Sequence, residues 1–528
     1  MVSTMFMNCS KCFVRLLQPR LRGLNFATMS EDTYFSPNLG NKEDKEVIRG
    51  VPDTICGQAT VEGKSGVAVI RLSGEHAKVA LLRMIKPQVL PKPRFATFSK
   101  IYNPFTGEHI DSGLVLYFPK PNSFTGEDTV ELQTHGSKAV TKSILDNLIR
   151  MEHIRLAEPG EFTKRSFYNG KMDLTQVEGL ADLLDSETET QRKIALHQMN
   201  GGASEMIHDW ENRIITLQVD LMADTDFGDT DEINFNIDQF YAKLLGVQNE
   251  MKNELDKLEL ARNIKDGIRV FIYGAPNVGK TSVFNMLSDS DSIVTNIPGT
   301  TRDMVESVTH VSGYKVRFVD SAGIRIETQD FIEGQGIFKA VEALEDQTTK
   351  INVLVCSSAD LLRYISVGGD NTIIGFLKDY MNEMGLTHLH NDTRDFLNFF
   401  KSPTIVIMNK YDLINDIDGN VEKSLTESVI CFSCKTNYGF TKFYTYLMRT
   451  LYAEFEPDDG VVSFSSMRHK EYLLKCISEL SSIKKDSLDS AIAVTALDRV
   501  IKHLELLAGK TAREKHLDSI FEKFCVGK

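Results

Sequence analysis

Residues 274–281 read GAPNVGKT, the form GxxxxGK[ST]. Between an apolar run and a helical pattern, that form builds a phosphate cradle. Its glycines let backbone N–H groups face a ligand without a Cβ in the way, and the helix N-terminus behind it adds its dipole. Lys280 is placed to reach β and γ phosphates and Thr281 to hold Mg²⁺, with Asn277, Val278, Gly279 and Ser282 completing the loop. Two further strings follow in order: NKYD, with Asn409, Lys410 and Asp412, and SCK, with Ser433, Cys434 and Lys435. A carboxylate in the base plane accepts from guanine N1–H and N2–H₂ together; adenine has no such donor pair, so Asp412 would select guanine. The alternative for NKYD is an ordinary turn after a strand, which leaves its position after a phosphate loop unexplained.

Two switch-like segments lie between these loops. In residues 299–303, GTTRD, a threonine is expected to sense Mg²⁺ and the γ-phosphate, and Thr301 is favoured. In residues 320–323, Asp320 is expected in the metal's water shell, followed by Ser321, Ala322 and a Gly323 free to swing. Many small GTPases place a water-orienting Gln after this glycine. Here Ile324 stands there, so hydrolysis is either slow or served by another residue and another positive charge.

The elements that must position these loops are legible as alternating patterns. Short apolar runs at 269–273, 315–320, 351–357, 404–409 and 429–433 each carry a motif at or after the C-terminal end. Open parallel sheets bind ligands at that edge. Residues 361–402 are long for one connection and predict a helical insertion. Before this block, strands are expected near 54–72, 95–101, 113–118 and 128–134, with one helix over 137–151, forming an α+β domain. From Thr175 the pattern turns helical and acidic: Leu244, Val247, Met251, Leu255 and Leu258 recur at three and four, as do Leu473, Cys476, Ile477, Leu480 and Ile483. Helical segments on both sides suggest one helical domain interrupted by an inserted one; two unrelated helical domains are the alternative.

Composition bounds the rest. A chain of 528 residues with 42% hydrophobic content exceeds one core, and no apolar run approaches a bilayer span. No acidic residue precedes Glu31, while Lys11, Arg15, Arg20 and Arg22 alternate with apolar residues, the pattern of a mitochondrial transit peptide over residues 1–30 or of a disordered tail. Without those four cations the acidic excess grows beyond the −13 of the whole chain, which excludes a general polyanion binder; RNA contact would need a local basic patch or a partner. The CxxC pairs, Cys9 with Cys12 and Cys431 with Cys434, lack a second pair at zinc-finger spacing, so neither a disulfide framework nor a zinc site is expected.

The chain after the leader resembles the MnmE (TrmE) family of tRNA modification GTPases in its mitochondrial form. The resemblance rests on DTICGQATVEGKSGVAVIRLSG from Asp53, PNSFTGEDTVELQTHG from Pro121, EPGEFTKRSFYNGKMDL from Glu158, the nucleotide motifs and the terminal FCVGK. Val526 departs from the family's usual Ile or Leu. The fold implied is multidomain: an α+β tetrahydrofolate-binding and dimerising domain over 50–170, a helical domain over 171–265 and 460–528, and an inserted Ras-like α/β P-loop G domain over 266–458. The family implies a homodimer through the N-terminal domain. It also implies an FAD-dependent MnmG-type (MTO-like) partner and mitochondrial tRNA in the matrix, where the pair installs a carboxymethylaminomethyl or taurinomethyl group at C5 of the wobble uridine. Its cofactors would be GTP, Mg²⁺, K⁺ and 5,10-methylene- or 5-formyl-tetrahydrofolate.

By motif, Asn277 matches the family's potassium-binding Asn, and Thr295, Ile297 and Thr300 the positions that complete the ion's shell. A cation there replaces an arginine finger. Glu333 matches the catalytic Glu that orients water, although its spacing from Asp320 is one residue long, which leaves Glu327 as a competitor. Arg71, Glu131 and Lys171 match the folate positions, with Lys528 adding to the pocket; alone, Arg71 and Lys171 read as surface charges. Cys525 is the family's tail cysteine, either an exposed nucleophile or a packed apolar residue.

Two other hypotheses share the G domain. A ribosome-assembly GTPase acting as a binding checkpoint predicts a basic or KH-like RNA module, where this chain has acidic helices. A dimeric scaffold GTPase predicts a degenerate folate site, where Arg71, Glu131 and Lys171 are intact.

Overall fold

The computed structural model describes residues 53–227, 236–288, 305–320, 349–368, 372–384, 386–387, 390–391, 399–400, 402–414, 429–455, 462–510, 518, 520–522 and 524–527. The leader at 1–30 lies outside them.

Near the N-terminus, β1 (Thr54–Gln58), β2 (Ser65–Ser73), β3 (Ile85–Lys86), β4 (Thr97–Tyr102), β5 (His109–Phe118), β6 (Thr129–Gly136) and β7 (Ile154–Leu156) form one sheet. Its order is β3-β4-β5-β6-β2-β1-β7, antiparallel except where β1 meets β7. Helices α1 (Ala77–Met84) and α2 (Lys138–Ile149) cover one face, where Ile70, Leu72, Val130 and Leu132 pack with Leu81, Ile144 and Leu148. A period of two in the strands then puts Arg71 and Glu131, directly paired in register, on the opposite face. Sequence predicted one helix here and the structure has two, because α1 is only eight residues long and its N-cap His76 makes no side-chain capping bond.

The helices α3 (Glu161–Tyr168), α4 (Leu174–Asp185), α5 (Glu189–Met199), α6 (Gly202–Phe227) and α7 (Ile237–Asp266) follow. Reciprocal capping boxes set the starts of α4 (Asp173 with Gln176) and α5 (Thr188 with Gln191).

The chain then crosses into a second sheet: β8 (Ile268–Tyr273), α8 (Lys280–Ser288), β9 (Val305–Val311), β10 (Tyr314–Asp320), β11 (Thr349–Ser357), α9 (Ser358–Ser366), α10 (Ile373–Glu383), β12 (Thr404–Asn409), β13 (Val429–Cys431) and α11 (Phe440–Phe455). The order is β13-β12-β11-β8-β10-β9, parallel except for the edge strand β9. Each central strand is buried on both faces. Val270, Ile272, Val353 and Ile407 meet Val283, Leu287, Phe443 and Leu447, whereas Phe271, Leu354 and Val406 meet Leu361, Phe376 and Leu377. All five strands expected from apolar runs are present, and β9 is an addition. The stretch expected as a helical insertion does contain helix, but α9 and α10 pack on the sheet face.

Two further helices, α12 (Met467–Ser482) and α13 (Ser490–Ala508), share a single core with α6 and α7, built from Trp210, Leu217, Leu244, Met251, Leu473, Leu480, Leu497 and Leu504 among others. At roughly 1.5–3 kcal/mol per fully buried large apolar side chain, segments that share such a core fold together. Asp182 of α4 contacts both chain crossings: its Oδ1 lies 2.6 Å from Lys265 Nζ at the end of α7, and its Oδ2 lies 3.1 Å from Ser465 Oγ just before α12. Nearby, Gln191 Nε2 donates to the Ile264 and Lys265 carbonyls at 3.1 Å each, and Glu187 lies 2.8 Å from Lys315 Nζ on β10. No helix among the described residues is long and apolar enough to cross a membrane.

Candidate functional site: a phosphate loop and two base-reading loops at one sheet edge

The loop between β8 and α8 approaches its neighbours too closely for side chains at two points. A Cβ on Gly274 (φ 151°) would lie 2.1 Å from the Val355 carbonyl oxygen. One on Gly279 (φ 99°) would lie 2.3 Å from Asn409 Nδ2. Asn277 holds a left-handed φ of 63° and is exposed, and Val278 is buried. Lys280 Nζ donates to the Ala275 carbonyl at 2.9 Å; burial lowers its pKa, which the Asp320 carboxylate counteracts. Tyr380 of α10, which sequence reasoning did not single out, accepts from Ala275 N at 3.0 Å and donates to the Val355 carbonyl at 3.2 Å. It fastens the loop to the sheet.

Thr281 Oγ1 donates to Asp320 Oδ2 at 2.9 Å, and Asp320 is buried at the end of β10. A hydroxyl beside a carboxylate is a hard-oxygen pair that fits Mg²⁺. Among the described residues no group of three or more His, Cys, Asp or Glu could hold a metal ion, so such an ion would need phosphate oxygens and water to complete its shell. Ser282 is exposed in the first turn of α8.

The NKYD and SCK loops meet the 274–281 loop directly. Asn409 Nδ2 donates to the Val278 carbonyl at 2.9 Å, and Lys410 Nζ donates to the Asn277 carbonyl at 2.6 Å. Ser433, fully buried, donates from Oγ to Asp412 Oδ1 at 2.6 Å. Cys434 Sγ lies 3.6 Å from Asn409 Oδ1, and burial raises the pKa of its thiol. Lys435 is exposed beside it. The structure therefore brings Asn277, Val278, Gly279, Lys280, Thr281, Asp320, Asn409, Lys410, Asp412, Ser433 and Cys434 to one sheet edge. All six cysteines among the described residues, Cys431 and Cys434 included, are free thiols. Thr295, Ile297, Thr300, Thr301, Ser321, Ala322, Gly323, Glu327, Glu333 and Lys528 lie outside the described residues.

A second cluster forms on the far face of the first sheet. Arg71 donates to Glu131 Oε1 from Nε (3.0 Å) and Nη2 (2.8 Å), and its Nη1 lies 3.4 Å from the Gly527 carbonyl. Its guanidinium carbon stands 5.8 Å from the ring centroids of both Phe124 and Phe162. The chain terminus docks here: Phe521 and Phe524 are buried with Leu174 and Val177, while Cys525 is exposed, which removes the packed-residue alternative for that thiol. Lys171 is exposed, with its Cε 3.5 Å from where a Cβ on Gly126 would sit. The Phe124 loop is fixed by buried Thr125 and Ser73 hydroxyls 2.6 Å apart, and by Glu127, which receives Arg165 at 3.1 Å.

Comparison with known proteins covers nearly the whole chain. A model described as the GTP-binding protein TrmE N-terminus matches residues 54–171, and one described as the MnmE helical domain matches 174–525. The mitochondrial tRNA modification GTPase gtpbp3 of Dictyostelium discoideum is 34% identical over 503 residues, spanning 90% of this chain and 96% of the relative. The tRNA modification GTPase MnmE of Rickettsia typhi is 34% identical over 481 residues, spanning 90% of this chain and all of the relative. The mitochondrial 5-taurinomethyluridine-[tRNA] synthase subunit GTPB3 of Danio rerio is 33% identical over 487 residues, spanning 90% and 93%. With sheet, phosphate loop, base-reading loops and docked terminus in one chain, and these matches running its length, the chain belongs to the MnmE (TrmE) family of tRNA modification GTPases.

Proposed function

We propose that this chain hydrolyses GTP to drive modification of the wobble uridine of mitochondrial tRNA, working with an FAD-dependent MnmG-type subunit. The observation that supports this most is the contact between phosphate loop and base-reading loops, in which Asn409 and Lys410 both bind phosphate-loop carbonyls while Ser433 holds Asp412. Asp412 would accept from the guanine edge, the backbone of the loop at Asn277 to Lys280 would bind phosphates, and Thr281 with Asp320 would hold Mg²⁺. A bound K⁺ would supply positive charge beside the phosphates, and Asn277 is its protein ligand in this reading, with Thr295, Ile297 and Thr300. Glu333 orients water. Pairs of chains join through the N-terminal domain, and the G domain is an insertion in a helical domain, a reading supported by the one core that α6, α7, α12 and α13 share.

The second cluster serves one-carbon chemistry in this reading: a methylene- or formyl-tetrahydrofolate supplies the carbon. Glu131 already pairs with Arg71, so the cation left to attract folate's carboxylates is Lys171, joined by Lys528, while Arg71 offers donors between two aromatic rings. Cys525 lies at its rim. The leader at 1–30 directs the chain to the matrix, in keeping with relatives named as mitochondrial.

Mass spectrometry of mitochondrial tRNA nucleosides with and without the gene tests the proposal. Loss of the C5-modified wobble uridine is expected, and an unchanged nucleoside profile refutes it. With purified protein, GTP turnover that is equally fast in sodium and potassium refutes the cation's role.

A further inference from the structure

The NKYD and SCK loops carry a contact that the motifs do not contain. Tyr411, the third residue of NKYD, stacks on Tyr438 with centroids 5.2 Å apart and planes 7° from parallel. Tyr438 lies at the end of the SCK loop and is 48% exposed, so its ring does not fill a core. The backbone fixes where both rings stand. Tyr411 N donates to the Phe432 carbonyl at 3.1 Å, and Ser433 N donates to the Tyr438 carbonyl at 3.0 Å. Left-handed Asn437 (φ 60°) and Gly439 (φ 80°) flank Tyr438; a Cβ on Gly439 would lie 2.0 Å from the Cys431 carbonyl oxygen, so position 439 admits no side chain.

The same two loops carry the bond that orients the specificity carboxylate. Thr436 N donates to Ser433 Oγ at 3.3 Å, which directs the Ser433 hydrogen to Asp412 Oδ1 at 2.6 Å. Asp412 and Tyr411 are adjacent on one short turn (Tyr411–Leu413), entered through a left-handed Lys410 (φ 62°). A rotation of that turn therefore moves the Tyr411 ring and the carboxylate together.

We infer that Tyr438 is a positioning residue for guanine selection: its ring, stacked on Tyr411, holds the Asp412 carboxylate in register with the Ser433 hydroxyl. The inference rests on the guanine-nucleotide reading of the site. Offset aromatic pairs contribute enough to shift an affinity roughly two- to tenfold. The effect is selective, because a carboxylate tilted out of the base plane keeps one acceptor contact more easily than two. Guanine offers N1–H and N2–H₂, hypoxanthine only N1–H, so loosening the turn weakens guanine binding more.

The test measures GDP and IDP dissociation constants on the full chain by competition against a fluorescent GDP analogue. Tyr438→Ala is expected to weaken GDP roughly two- to tenfold and IDP less, lowering the preference for GDP. Tyr438→Phe, which keeps the ring, should restore that preference. Tyr411→Ala should reproduce the change, and the Tyr411→Ala/Tyr438→Ala double variant should add nothing further. Equal weakening of GDP and IDP, additive losses in the double variant, or failure of Tyr438→Phe to restore the preference each overturns the inference. A wild-type chain that binds GDP no better than ADP overturns the guanine reading itself, whatever Tyr438 does.

Discussion

Adding one methyl group to the phosphate loop should be felt at the base-reading loop. In Gly279→Ala the new Cβ falls 2.3 Å from Asn409 Nδ2. That atom ends a side chain, so it swings aside at little steric cost, but it then gives up its 2.9 Å bond to the Val278 carbonyl. Asn409 is 3% exposed, so water does not replace the lost partner. A buried polar group left without a partner costs about 1–3 kcal/mol, which predicts GDP affinity lower by up to roughly five- to 160-fold where the bound state needs this bond. Separately, the backbone at φ 99° resists any L side chain. That strain, about 1–2 kcal/mol, lowers the thermal midpoint of the free and the nucleotide-bound protein alike. Titration with a fluorescent GDP analogue reads the first effect and a thermal melt the second. A double-mutant cycle with Asn409→Ala decides the cause. If the methyl acts through Asn409, the double variant binds GDP no worse than Asn409→Ala alone. Additive affinity losses would refute the coupling of the two loops through this side chain.

Two further expectations concern regions away from the nucleotide. Burial would raise the pKa of Glu178, but His469, 2.6 Å away, and Arg468 hold it well below the usual carboxylate range, so its stabilising contribution is complete above about pH 4.5 and is lost as pH falls. Glu178→Gln should therefore lower the thermal midpoint most at neutral pH and progressively less toward acid; a pH-independent difference would contradict the assignment. At the terminus, a Cβ on Gly527 would meet two backbone atoms, Gln58 O at 2.2 Å and Ala59 Cα at 2.5 Å, whereas one on Gly57 comes no closer than 3.2 Å to Val526 O. Gly527→Ala should speed hydrogen exchange of residues 521–527 roughly tenfold or more and Gly57→Ala far less, and equal exchange in both variants would argue against the docked tail.

What the sequence made legible follows from the range of the forces involved. The five parallel strands of the second sheet are buried on both faces, so each appears as an apolar run that needs no partner to be recognised. The edge strand β9, VESVTHV, has a polar side and was missed for that reason. Motif spacing marked the loops at 274–281, 409–412 and 433–435 that meet at one sheet edge, because each is a local string. Contacts between distant residues left no such trace: Arg71 with Glu131, Cys434 with Asn409, or Gly527 against Gln58. Tyr380 and Tyr438 were passed over likewise, since a tyrosine in a helix or a turn carries no pattern that announces its partner. The Asp173/Gln176 and Ser466/His469 capping boxes are local signals that do mark where α4 and α12 begin.

Asp182 joins the outgoing and returning strands of the nucleotide-binding block at one carboxylate. The two crossings thereby share a partner as well as having contacts of their own. Tilting of the block about that point can leave both contacts made, while pulling it away strips Lys265 and Ser465 from the same group at the same time. Displacing the block therefore breaks this shared group together with the bonds from Gln191 to the Ile264 and Lys265 carbonyls and the Glu187–Lys315 pair.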